Sequence, residues 1–187
     1  MPFSLVTVGT SLGGIEALGV ILSGLPKTFP VPLAVVQHRS VEDSDGLVPI
    51  LAACTALKVE EAEDKTEYKA GHVYIGPANY HLLVDENHFS LSTDPAVLNA
   101  RPSIDVLFES AAESCGKSVV AVLLTGMSRD GSAGAARVKQ CGGVVVVQDP
   151  ATAEGATMPA SAISSVKVDK VLTLPEIAPF LIDLCSS

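Results

Sequence analysis

The chain has no tryptophan, and aromatic residues fill only 4% of its 187 positions. A core with few large rings must be packed mainly from Val, Leu, Ile and Ala, and a hydrophobic content of 48% provides them. Basic residues are scarce as well: 12 Lys and Arg stand against 21 Asp and Glu, a formal charge of −9. Nucleic acids and anionic membrane surfaces reward clusters of Lys and Arg. No such cluster occurs, so neither is an expected partner. No apolar run approaches the about 20 residues of a membrane-spanning helix. The opening residues Met1-Pro2-Phe3-Ser4-Leu5-Val6-Thr7-Val8 lack the basic start of a secretory signal and pass quickly into a glycine-rich turn. Cytoplasm, without membrane insertion, is the expected location. Cys54, Cys115, Cys141 and Cys185 are far apart, with none of the close spacing that zinc or redox motifs require. They read as free thiols, and no metal site is expected.

The length suits one domain over residues 1–187, since a domain of roughly 150 residues already hides about 70% of its unfolded surface. Runs at 5–8, 32–36, 119–124 and 144–147 are apolar and β-branched almost without interruption. That is the pattern of strands covered on both faces. Amphipathic stretches at 14–25, 44–56, 103–115 and 131–141 are long enough for helices. Strand followed by helix, repeated, predicts a doubly wound, mostly parallel α/β sheet of Rossmann-like type with right-handed crossovers. The middle departs from this rhythm. Short strand-like pieces at 72–75, 80–84 and 88–92 are separated by Gly76-Pro77-Ala78-Asn79 and Asp85-Glu86-Asn87, which is turn chemistry. An added antiparallel hairpin is expected there. Residues 60–69 are charged and lack an apolar period, so an exposed connection is expected. Residues 149–159 read as a loop over the sheet edge, followed by a short helix at 158–164, a last strand at 168–172 and a closing helix at 175–184.

Three segments sit just past strand-like runs: Gly9-Thr10-Ser11-Leu12-Gly13-Gly14, Gln37-His38 and Thr125-Gly126-Met127-Ser128-Arg129-Asp130-Gly131. In an open parallel sheet, ligands collect at the carboxyl ends of the strands. A hydroxyl, an imidazole and a carboxylate are thereby directed to one edge, and they are the parts of an acyl-transfer triad. Each has a plainer reading. Ser11 suits a helix cap, His38 a hydrogen-bonded strand end, and Asp130 the cap of the helix that follows it. Asp149 competes with Asp130 at the same edge. His72, His81 and His88 fall in the hairpin region. A nucleotide-binding turn is the least favoured alternative, because Gly9 to Gly14 does not spell the dinucleotide fingerprint and no carboxylate ends the second strand.

With Gly71-His72-Val73-Tyr74-Ile75-Gly76-Pro77 and Arg101-Pro102-Ser103-Ile104-Asp105-Val106-Leu107-Phe108, these segments in this order resemble the catalytic domain of the CheB-type protein-glutamate methylesterases of bacterial chemotaxis. The resemblance covers nearly the whole chain. It implies a doubly wound α/β serine hydrolase acting on γ-glutamyl methyl esters of cytoplasmic chemoreceptor helices and also deamidating receptor glutamines. It makes Ser11 the nucleophile, His38 the base and Asp130 the orienting acid. Met127, through its backbone N–H, is the candidate for the oxyanion, and Thr10, Gly13 and Arg39 are candidates for lining the substrate. No metal or organic cofactor is implied.

Four positions depart from the family pattern: Leu12 stands where Thr is common, Arg39-Ser40 where Met-Pro is common, and Ala100 where His is common. These flank the triad, so ester hydrolysis is the firmer expectation and receptor recognition the looser one. The chain begins at the catalytic strand, where the family usually carries a receiver domain before it, so either a stand-alone enzyme or an excised piece of a longer protein is expected. Regulation by its own phosphorylation is therefore not expected, which leaves room for a separate regulator. The net charge opposes a substrate rich in free carboxylates, and Arg39, Arg101 and Arg129 are the residues expected to offset it locally. The runner-up reading is a non-catalytic module that keeps the fold and docks a partner protein, against which the complete Ser, His and Asp set argues.

Overall fold

Apolar runs without polar alternation form strands that need cover on both sides. The computed structural model describes residues 3–39 and 46–186. Its elements run β1 (Leu5–Thr10), α1 (Gly14–Ser23), β2 (Leu33–Gln37), α2 (Leu47–Ala52), β3 (Lys58–Glu61), β4 (His72–Ile75), β5 (His81–Asp85), β6 (His88–Ser92), α3 (Ile104–Cys115), β7 (Val119–Leu123), α4 (Ser132–Gln140), β8 (Val144–Gln148), α5 (Thr157–Ser165), β9 (Lys170–Leu172) and α6 (Leu174–Ser186). Seven strands form one sheet in the order β3-β4-β2-β1-β7-β8-β9, every neighbouring pair parallel. This is the doubly wound α/β architecture expected, with β5 and β6 as a separate antiparallel hairpin.

The two faces of the strands divide the core. Val6, Val8, Val120 and Val122 pack with Leu18, Ile21 and Leu22 of α1 and with Ile177 and Leu181 of α6. Leu5, Ala121 and Leu123 meet Leu107 and Phe108 of α3, Ala135 of α4, and Leu82 and Phe89 of the hairpin. An isolated hairpin is marginal in water. Here the Val84 N–H donates to Ser110 Oγ at 3.0 Å, and Ser114 Oγ donates to the Val84 carbonyl at 2.9 Å, which fastens the hairpin to α3.

Several boundaries differ from the sequence reading. Residues 72–75 belong to the parallel sheet as β4, not to the hairpin, and 58–61 form its edge strand β3, which takes in the first two residues of the 60–69 stretch expected as an exposed connection. The predicted 44–56 helix is confined to Leu47–Ala52, and positions 44 and 45 lie outside the described residues. The 149–159 segment is not a plain loop: it makes a 3-10 turn at Pro150–Thr152 and enters α5 at Thr157.

From β1 the chain winds outward to β2 on one side, and β7 takes the other. The strand order therefore reverses between β1 and β7, and a crevice opens beyond their carboxyl ends at such a point. Ser11 follows β1 directly, His38 follows β2, and residues 124–131 follow β7.

Candidate active site

Ser11 leaves β1 in a turn held from three sides. Its N–H donates to the Thr125 carbonyl at 2.9 Å, and its own carbonyl accepts from the Gly14 N–H at 2.9 Å and from Gln37 Nε2 at 2.9 Å. The turn closes through Gly13 at φ +73°, and Gly13, not Ser11, is the N-cap of α1. The hydroxyl is thus not engaged as a helix cap. It makes no hydrogen bond to another described residue and faces a groove of about 430 Å³ lined by Leu12, Gly13, Gly14, Gln37 and His38. Gly126 presses on the turn from β7's side: a Cβ there would stand 2.9 Å from Ser11 Cβ, a separation that real side chains do not tolerate.

His38 lies beside Ser11 because Thr10 pairs with Gln37 in the β1–β2 ladder and the His38 N–H donates to the Thr10 carbonyl at 3.0 Å. Adjacent strands lie about 4.8 Å apart, so the next residues are close neighbours. The imidazole Nε2 meets Asp130 Oδ2 at 2.7 Å, its side chain 16% exposed against 0% for the acid. With Nε2 taken, Nδ1 is the ring nitrogen left for the hydroxyl.

Asp130 is buried among donors. Oδ2 also accepts the Ile104 N–H at 2.7 Å, while Oδ1 accepts Ser103 Oγ–H at 2.8 Å and the Asp105 N–H at 2.9 Å. Ile104 and Asp105 open α3, whose first N–H groups have no partner within the helix and carry its positive dipole end. Burial alone would raise the acid's pKa. The hydrogen bond from His38, together with those from Asp105, Ile104 and Ser103, outweighs it and holds Asp130 below the usual aspartate range. Asp130 is accordingly not the cap of the helix that follows it; it caps the neighbouring one.

Asp105 returns the arrangement: its Oδ1 accepts the Gly131 and Gly134 N–H groups, both at 2.8 Å, at the start of α4. Burial, with the Asp130 charge nearby, pushes its carboxyl up to about 6 against the pull of those two bonds. The two helices thus exchange carboxylates across their amino ends, which ties the position of Asp130 to the packing of α3 on α4.

The sequence pattern of the CheB methylesterase family matches residues 6–181, nearly the entire chain. The chain belongs to the CheB methylesterase family. It superimposes on the crystal structure of the Thermotoga maritima CheB methylesterase catalytic domain with a TM-score of 0.93 at 38% identity, covering 97% of this chain and 98% of that one. A Leptospira interrogans protein provisionally named protein-glutamate methylesterase/protein-glutamine glutaminase is 44% identical over 98% of this chain and 96% of its own length. The Thermotoga maritima protein-glutamate methylesterase/protein-glutamine glutaminase is 39% identical over 96% of this chain but only 54% of its own length. The chain spans about half of that longer relative.

Within this CheB-type fold, the other residues singled out from sequence take varied places. Thr10 is buried and donates Oγ1 to the Thr125 carbonyl at 2.9 Å, so it binds two loops together and does not line the groove. Gly13 does line it. Met127 is 60% exposed, and its N–H has no acceptor among the described residues. Arg39 borders the space beside His38, but its guanidinium is directed to Glu61 and to the Gly76 carbonyl, so Glu61 already balances its charge. Arg101 is held by Asn79 and the Thr93 carbonyl, whereas Arg129 is exposed with no ion-pair partner among the described residues. Asp149 caps its own 3-10 turn through the Ala151 N–H at 2.9 Å. His81 is buried in the hairpin, and its Nδ1 accepts the Ser103 N–H at 3.2 Å, one residue from the Asp130 cluster.

Sequence reasoning passed over Ser103, Asp105, Gln37 and Thr125 as site residues. Thr125 Oγ1 donates to the Leu12 carbonyl and accepts from the Gly155 N–H, both at 2.8 Å, joining the Ser11 turn to the 149–159 segment. Among the described residues no group of three His, Cys, Asp or Glu side chains could hold a metal ion. No described helix is long and apolar enough to cross a membrane.

Proposed function

We propose that this chain is a serine hydrolase that removes methyl esters from glutamate side chains of chemoreceptor proteins. Ser11 is the nucleophile, His38 the general base and Asp130 the acid that orients it. The reading rests above all on Asp130: a fully buried carboxylate, kept ionised by three protein donors, meets His38 at 2.7 Å beside a serine that no helix cap claims. An ionised Asp130 favours the His38 tautomer with hydrogen on Nε2, leaving Nδ1 as acceptor.

In the reaction His38 Nδ1 takes the Ser11 proton as Oγ attacks the ester carbonyl. The N–H groups of Leu12 and Met127, which have no acceptors among the described residues, serve the oxyanion. His38 returns its proton to the departing methoxide, methanol leaves, and a water activated by His38 releases the glutamate carboxylate. A glutamine side chain would follow the same course with ammonia as leaving group, as the relatives' names suggest. Residues 1–187 act as one catalytic domain in the cytoplasm, and the proposed chemistry calls for no cofactor.

The test is methanol release from a panel of methylated receptor signalling domains. Ser11→Ala should abolish it, and release near the parent rate would sink the assignment. Trapping of Ser11 by a fluorophosphonate distinguishes this reading from a docking module without turnover, which would retain receptor binding but not label.

A further inference from the structure

Beyond Gln37 the β1–β2 ladder ends, because the chain after Ser11 turns into α1 and no longer runs alongside β2. The next rung of a parallel ladder would have anchored the His38 carbonyl; the turn removes that partner. Gln37 replaces it from the side. Its Nε2 donates to the Ser11 carbonyl at 2.9 Å and to the His38 carbonyl at 2.9 Å. One amide nitrogen therefore spans the two residues whose separation governs proton transfer. A primary amide has two N–H bonds, one for each carbonyl. The opposite rotamer would bring its oxygen against both carbonyl oxygens, so the orientation is fixed.

The rest of the side chain shows what this orientation costs. Gln37 is 7% exposed, and its Oε1 is buried without a hydrogen-bond partner. Buried polar atoms are nearly always paired, and an exception in a native structure calls for a reason. The neighbourhood is shaped to admit it: a Cβ on Gly14 would fall 2.0 Å from Oε1. A glutamine held with its oxygen unsatisfied, against a glycine that alone leaves it room, is poorly explained by stability.

Resting on the serine-hydrolase reading, we infer that Gln37 is a positioning residue that sets the approach of Ser11 to His38. Its side chain borders the groove, but its amide is bonded to the main chain of Ser11 and His38 and not to the hydroxyl or the imidazole. It fixes the backbone of both residues where the sheet no longer does, and so determines where the hydroxyl and imidazole project. A misplacement of about 1 Å in such a pair can cost on the order of 10²-fold in rate.

The experiment compares Gln37→Met and Gln37→Glu in the full chain, with Ser11→Ala as control, using methanol release from a peptide glutamate γ-methyl ester. Met keeps the length without donors; Glu keeps the shape and sets oxygen against the carbonyls. Rates are normalised to the folded fraction from circular dichroism, so that a folding defect is not counted as lost turnover. For both variants kcat should fall roughly 10²-fold while KM stays within about threefold, the pattern of an interaction that acts on the chemical step. Fluorophosphonate labelling of Ser11 should slow in parallel. A kcat within about twofold of the parent in Gln37→Met, or a loss carried by KM alone, overturns the inference while Ser11→Ala remains inactive. An active Ser11→Ala would instead remove the reading of the site on which it stands.

Discussion

Asp130 and Ser11 are the acid and the nucleophile of the proposed triad, and their surroundings differ in kind. Asp130 is fully buried, and both of its oxygens are occupied by donors from α3 as well as by His38. Ser11 is fixed through its backbone, while its hydroxyl meets the groove without a partner among the described residues. The acid end is built as a finished structure, since an unpaired buried charge is costly. The hydroxyl end is built as a frame around an atom that is left available for a substrate. On the proposed reading, preorganisation resides in the carboxylate and in the main chain, and the attacking oxygen is the part kept open.

The largest expected effect breaks the acid end. In Asp130→Asn one oxygen becomes an NH2 group, which then faces donors on at least one side. The least conflicted arrangement keeps the carbonyl on Ser103 and the Asp105 N–H and turns the amide toward His38 Nε2. That forces hydrogen onto Nδ1, the wrong tautomer for accepting the Ser11 proton. Turnover should fall by about 10⁴-fold with little change in KM. A loss below about tenfold would mean that the carboxylate does not orient the base.

The next test strikes the hydroxyl end and leaves the acid end intact. In Gly126→Ala the new methyl meets Met158 Sδ at 2.8 Å and Ser11 Cβ at 2.9 Å. The methionine can swing aside, but the serine's Cβ moves only with its turn. Turnover and fluorophosphonate labelling should both drop, by roughly 10²-fold for a shift near 1 Å. If labelling were unchanged, the close approach of Gly126 would be mere packing.

The same contrast explains what could be read from sequence. Ser11, His38 and Asp130 were legible as strand-end residues because β1, β2 and β7 are continuous apolar runs whose ends are plain. Strand β3 was not: in Lys58-Val59-Glu60-Glu61 only Val59 is buried, and charge on an edge strand guards it against further pairing while erasing its apolar signature. His72-Val73-Tyr74-Ile75 was visible as a strand, but its partners β2 and β3 are set by long-range pairing that turn residues nearby do not announce. The support of Asp130 was hidden for a like reason. Ser103 reads as the start of a helix, yet nothing local shows that the first turns of α3 and α4 trade carboxylates. Gln37 was noticed only as a neighbour of His38, since its two bonds depend on where β1 turns away.

The smallest effect concerns the acid that supports the acid end. Asp105 and Asp130 are both buried at the junction of α3 and α4, yet their acidities move in opposite directions, because Asp130 gathers more donors while Asp105 is chiefly desolvated. The linkage signs follow. Asp105, near 3.8 unfolded and about 6 folded, is protonated in both states below about pH 4 and then has no effect on stability. Between about pH 4 and 6 the unfolded chain ionises it while the folded state still holds the proton, so a destabilisation builds up that is fully present above about 6. Asp130, with its pKa lowered, contributes stability above the unfolded value and loses it only as pH falls further, outside this window. Asp105→Asn keeps an acceptor for the Gly131 and Gly134 N–H groups but cannot ionise. Thermal melts should therefore show the variant matching the parent near pH 4 and exceeding it at pH 7, with turnover at pH 7 reduced no more than a few-fold because Asp130 keeps its own donors. A variant less stable at pH 7 than at pH 4, relative to the parent, would show that Asp105 serves its helix as a charge and that burial does not dominate its acidity.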